Sequence, residues 1–153
     1  MAVVQSTYAT DHAVGFLGMV ANGETSNRIS RTVEDATAIA FGRPVWRGAG
    51  DHGCILAATA GTLLGITIAN YAVPPVQSTG ANVDSYPQYA TAGILTQGVI
   101  WVTAGEAVTD GAQAYAVPST GVIVDTSTDN VIMPGWFFDQ TVASGALVRL
   151  AKR

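Results

Sequence analysis

Residues 98–115 read GVIWVTAGEAVTDGAQAY, and the order of residue types in that stretch decides the fold class. Val99, Ile100, Trp101 and Val102 form a run of β-branched and aromatic side chains, the types that fit a pleated strand best. Thr109-Asp110-Gly111 follows as a turn, with the glycine supplying the positive φ that lets the chain reverse. The stretch is a β-hairpin or β-corner, and it holds no nucleophile–base pair. Residues 99–102 are apolar on both strand faces, which places that strand in the middle of a sheet or against another subunit.

The same pattern recurs outward in both directions. Short Val/Ile/Thr/Trp-rich runs lie at 29–33, 37–41, 45–47, 55–58, 63–70, 94–102, 112–117, 121–125, 135–142 and 146–151, separated by Gly, Pro, Asn and Asp. This spacing predicts an all-β domain, either a β-sandwich of jelly-roll type or a small β-barrel. In the last run Ala146, Val148 and Leu150 share one face and Arg149 takes the other, the half-buried alternation of a strand. The longest apolar run, 54–69, is shorter than the roughly 20 residues that cross a bilayer. Thr59, Gly61, Thr62, Gly65 and Thr67 interrupt it. It reads as two strands joined near Ala60-Gly61-Thr62, and no membrane partner is expected.

A chain of 153 residues suits a single domain burying roughly 70% of its unfolded surface. Residues 28–153 are expected to form the β domain and residues 1–27 an extended N-terminal arm. Val14, Phe16, Leu17 and Met19 make that arm's apolar anchor. Gly15 and Gly18 would weaken a helix there by about 1 kcal/mol each. The alternative is a first strand tucked into the same domain. Residues 71–93 carry Pro74, Pro75 and Pro87 with Tyr71, Tyr86 and Tyr89, and read as a long loop of the kind that is usually functional or disordered.

Charged residues are 12% of the chain and hydrophobic ones 48%, against about 25% charged in an average domain. So neutral a surface is expected to be covered in part by a partner or by copies of the chain, unless Thr, Ser, Asn and Gln coat a monomer. The face bearing Trp101 or Trp136 is the candidate oligomer contact. A closed homotrimer, or a dimer, would hide like patches without forming fibres. No Lys or Arg occurs from Gly48 to Val148, where Asp51, Asp84, Glu106, Asp110, Asp125, Asp129 and Asp139 all lie. A nucleic-acid partner is therefore not expected, since tracking phosphates needs a clustered basic face. The N-terminus lacks the basic start of a secretion signal, so synthesis in the cytoplasm is expected.

Candidate chemistry is sparse. Asp51-His52-Gly53-Cys54 gathers possible metal ligands without the second pair that a zinc site needs, and His12 is distant in sequence. The single Cys54 has no internal disulfide partner and suits a buried thiol. None of Ser6, Ser26, Ser30, Ser78, Ser85, Ser119, Ser127 or Ser144 sits in a nucleophile elbow. Glu34-Asp35 and Asp110 are the acids that a glycosidase would pair, but turn formation and backbone capping account for Asp35, Asp110, Asp125 and Asp129. The glycines form neither a phosphate loop nor a dinucleotide fingerprint. No catalytic residue, metal or cofactor is assigned.

Three segments together resemble the structural cement, or head decoration, proteins of tailed bacteriophages. The first is Glu34-Asp35-Ala36-Thr37-Ala38-Ile39-Ala40-Phe41-Gly42 followed by Val45 and Arg47-Gly48. The second is Leu64-Gly65-Ile66. The third is Gly98-Val99-Ile100-Trp101-Val102, then Glu106-Ala107-Val108, Gly111 and Tyr115. The resemblance implies a β-rich domain on the outer face of an icosahedral head, a virion component in many copies that locks neighbouring major capsid proteins together. It implies no enzyme activity and no cofactor. The few basic residues and the loop at 71–93 depart from the pattern. Val14, Phe16, Leu17 and Met19 are then expected as capsid contacts. The other reading is a tail or fibre β-module that binds a receptor or glycan through its Tyr and Trp side chains.

Overall fold

In the computed structural model, which describes residues 13–56, 61–72 and 84–153, the described residues form β-strands and no α-helix. The first six strands are β1 (Asn27–Val33), β2 (Ile39–Ala40), β3 (Pro44–Arg47), β4 (Gly53–Ile55), β5 (Leu63–Thr67) and β6 (Ser85–Tyr86). They are followed by β7 (Thr91–Thr103), β8 (Gln113–Ala116), β9 (Ile123–Val124), β10 (Val131–Phe138) and β11 (Leu147–Lys152).

At 13 residues β7 is long enough to serve two sets of neighbours. Its first half runs antiparallel to β1 on one side, with Gly93 opposite Ser30, and to β5 on the other, with Leu95 opposite Ile66. β5 pairs with β3, β3 with β4, and β4 runs parallel to β1. The ring β1-β4-β3-β5-β7 is thus a closed small barrel, which leaves its sheet without a long free edge. The second half of β7 pairs with β11, placing Trp101 opposite Arg149, and the sheet continues through β10, β8 and β9. A parallel bridge between Ala104 and Ile123 brings β9 back to the end of β7. Of the two all-β architectures the sequence allows, the protein takes the barrel.

The alternation along β7 distributes the core. Ala92 and Ile94 pack with Val33, Ile39, Phe41, Val45, Cys54 and Tyr86 inside the closed barrel. Leu95, Ile100 and Val102 join Trp46, Ile66, Met133, Trp136, Phe138, Val148 and Leu150 in a second cluster shared by both halves. Burying each such large side chain contributes about 1.5–3 kcal/mol. The buried Thr67 is satisfied: its hydroxyl donates to Ala40 O (2.9 Å) and accepts from Arg43 N–H (3.0 Å). Arg43 in turn donates to Gly121 O (3.2 Å), joining the barrel to the β8–β9 turn.

Several expectations need correction. The 71–93 stretch is not one loop, because it contains β6 and the start of β7, and Tyr86 is a fully buried core residue. Its hydroxyl donates to Ile68 O (2.6 Å), the polar handle that lets a tyrosine sit inside. The 37–41 run shortens to two residues of β2. Residues 54–69 do yield two strands, yet β4 and β5 both flank β3 rather than pairing with each other. Residues 57–60 between them, residues 73–83 with Pro74 and Pro75, and residues 1–12 of the expected arm lie outside the described residues. Within the arm, residues 18–21 lie beside β7: Gly18 N–H donates to Trp101 O (2.8 Å), Trp101 N–H to Met19 O (2.9 Å) and Ala21 N–H to Val99 O (2.8 Å).

Candidate interaction surfaces

The acidic residues of the motif segments are occupied by backbone. Glu34, just past β1, accepts the N–H of Ala49 and of Gly50, each at 2.8 Å, through its two carboxylate oxygens. A Cβ on Gly48, just after β3, or on Gly53, at the start of β4, would meet that carboxylate and push it from its two bonds. Asp35 accepts from Leu56 N–H (2.7 Å). Glu106 accepts from Asp125 N–H (3.0 Å) and Thr126 N–H (2.9 Å), tying the corner after β7 to the end of β9. Burial pushes Glu106 up, but the bonds from Thr126 and Asp125 outweigh it and hold its carboxyl below the ordinary value. Asp125 moves the other way, raised by burial and by its bond to Glu106. These acids hold corners in place, the work of capping groups.

His52 is exposed in the turn before β4, whereas Cys54 is fully buried. Burial first, then the nearby Asp35 and Glu34, pushes the Cys54 thiol up to about 11, far from the range of a reactive cysteine. Among the described residues no three His, Cys, Asp or Glu side chains converge as metal ligands.

What the surface offers instead is apolar. Val14 is 79% exposed, Phe16 45% and Tyr71 66%. The Phe16 and Tyr71 rings lie 5.6 Å apart, and Tyr71 rests edge-on against Phe41 at 5.9 Å, which contacts Tyr86 at 5.1 Å. The result is a line of aromatic rings running from surface to core. Leu17 and Met19 are half-buried, with Leu17 packed over Gly42. The expected anchor therefore splits: Val14 and Phe16 are exposed, Leu17 packs on the domain, and Met19 is half-buried. Tyr71 joins them through a contact that no local sequence signal announced.

The two tryptophans offered as an oligomer contact are inside the chain. Trp136 is 0% exposed in the second core cluster, and Trp101 is 7% exposed beneath Gly15. The cause at Trp136 is a bulge in β10: Pro134 has no N–H, Gly135 takes φ 77°, and the register shifts between Ile132 and Phe137. Gln113 holds this bulge by donating to Met133 O (2.8 Å) and Trp136 O (2.9 Å). The extra residue resets the alternation, so Trp136 turns inward while Ile132 and Phe137 are exposed. Strict period-2 counting across Gly135 hides this outcome.

The barrel thus sets Glu34, Asp35 and Glu106 on its own backbone corners and leaves Val14, Phe16 and Tyr71 exposed. Its sequence matches, over residues 4–152, the family described as structural cement protein (E217 gp24/Pam3 gp6), and the chain belongs to that family of phage proteins. No curated protein matches the sequence. Among solved structures the chain is similar to one titled "The capsid of Myoviridae Phage XM1", with a TM-score of 0.75 and 17% identity over 95% of this chain and 94% of that one. It is more weakly similar to the head fibre gp8.5 N base of bacteriophage phi29, with a TM-score of 0.45 and 12% identity over 84% of this chain and 95% of that one.

Proposed function

We propose that this protein binds the outer surface of a phage head, bridges neighbouring major capsid proteins and stabilises the mature shell, without catalysing a reaction or using a cofactor. The observation that carries the reading is membership of the cement family along nearly the whole chain. The exposed Val14, Phe16 and Tyr71 support it, because a group of exposed apolar side chains is suited to a protein contact. In this reading Val14 and Phe16 touch the capsid, while Leu17 and Met19 fix the segment that carries them. The chain acts as a homotrimer or dimer made in the host cytoplasm. Contacts between copies use the exposed Ile132 and Phe137 in place of the buried tryptophans. A multivalent oligomer needs only modest affinity per subunit to hold a lattice.

Co-sedimentation with heads that lack the protein tests this reading. The protein should pellet with the heads to a saturating, symmetry-related copy number. Binding to a glycan panel with no uptake by heads would replace it with a receptor-binding tail or fibre module.

A further inference from the structure

Three described non-glycine residues have a positive φ: Asp84 at 58°, Asp129 at 59° and Tyr89 at 65°. Aspartate is at home there, because its short side chain bonds to the local backbone. A tyrosine is not, and a bulky residue in this region is a true outlier. Tyr89 is the third residue of a turn that Ala90 N–H closes onto Pro87 O (3.1 Å), the position where a positive φ ordinarily selects glycine or asparagine.

Nothing within the described residues rewards the strain. The side chain is 77% exposed, and neither an aromatic contact nor a hydrogen bond of its hydroxyl is formed there. The backbone beneath it, by contrast, is held firmly. Tyr89 N–H donates to Val33 O (2.8 Å), Val33 N–H to Ala90 O (3.0 Å), and the Gln88 side chain to Glu34 O (3.0 Å). The turn is anchored to the end of β1, beside the Glu34 corner. A large ring is thus presented to solvent from a braced platform, in a conformation that a smaller residue would adopt with less strain. Strain that the fold supports but does not use points to function.

We propose that Tyr89 is an anchor residue for the major capsid protein, its ring filling a shallow apolar pocket and its hydroxyl meeting a polar group at the rim. This rests on the cement reading and adds a contact on the β6–β7 turn to those of the N-terminal segment. Tyrosine suits the role, since it brings a large contact area with few rotatable bonds. The preset backbone means that little further order is lost on docking.

The test compares wild type with Tyr89→Asn and Tyr89→Gly in three measurements: thermal midpoint, sedimentation of the free protein, and binding to heads lacking the protein. Asparagine and glycine both accept the positive φ, so the midpoint of at least one variant should equal or exceed that of wild type while affinity for heads falls at least tenfold. Head binding within twofold of wild type in both variants would overturn the proposal. So would a changed oligomeric state of the free protein with unchanged head binding, which would assign the ring to a contact between copies. A loss of binding that merely follows a lowered midpoint in both variants would make Tyr89 structural and also overturn it. If wild type itself fails to bind heads, the cement reading falls first, and that arm alone reports it.

Discussion

Glu34 reaches its two backbone partners through space that a Cβ at residue 48 or 53 would occupy, and this makes the contact testable in both directions. Gly53→Ala should cost about 1–3 kcal/mol through overpacking against the carboxylate. Glu34→Ala removes two charge-assisted bonds to exposed N–H groups that water can partly replace, and should cost about 1–2 kcal/mol. In the double variant the alanine at 34 vacates the space that the Cβ at 53 needs, so urea midpoints should give a combined loss smaller than the sum. Additive losses would mean that the two residues do not share the site. Cys54 makes a second residue-level case. With its thiol raised from 9.0 to about 11, about a thousandth of it is ionised at pH 8, so iodoacetamide should modify the native chain far more slowly than the urea-unfolded one. The sign of the linkage follows: the unfolded thiol ionises first, so its contribution to stability is complete below pH 9.0 and lost as the pH rises toward about 11. Cys54→Ala should flatten that alkaline decline, and an unchanged decline would count against the buried thiol as its source.

Residues 18–21 and the second half of β7 pose the question at the scale of elements. Gly15 sits against the Trp101 indole, and Gly18, at φ 78°, lies so close to Ala69 N and Phe41 Cβ that any side chain there would have to displace backbone. A chain starting at Arg28 gives up only the Asn27–Gln97 pair of the closed barrel and should fold. It should lose about 2 kcal/mol from the uncovering of Val99 and Trp101. Trp46 and Trp136 stay buried in the core, so a red shift of tryptophan emission in the truncated chain would report Trp101 alone. Unshifted emission would mean that the segment does not cover it. Legibility in the sequence also divides at this scale. β1, β8 and β11 were readable because each is a short alternating run between turn residues, β3 because Val45 and Trp46 form a brief apolar run bounded by Gly42 and Gly48, and the apolar character of both faces of residues 99–102 marked a central strand. β6 and the first half of β10 were not readable. Ser85–Tyr86 is too short to show a period, and an alternation carried unbroken from Met133 through Pro134-Gly135 would put Trp136 outside and Phe137 inside, the reverse of what the bulge produces. The pairing of Phe16 with Tyr71 spans distant parts of the chain, and nothing local to either residue encodes it. The closure of the barrel by a parallel β1–β4 pair likewise depends on long-range packing rather than on a local pattern.

At the scale of the whole molecule, one strand shared by two sets of neighbours and one core cluster spanning both join the barrel and the strands beyond it into one body. Under the proposed function the stabilising effect is one of mass action: a protein that binds adjacent subunits only in their assembled geometry stabilises that geometry by the difference in binding. Small gains at each site add across a lattice of repeated sites. The most direct measurement is the temperature at which heads release their DNA, with and without saturating protein, at matched ionic strength. Saturated heads should release it at a clearly higher temperature, with a return to the lower value when Val14 and Phe16 are both replaced by serine. Release at the same temperature with and without the protein would contradict the proposed function.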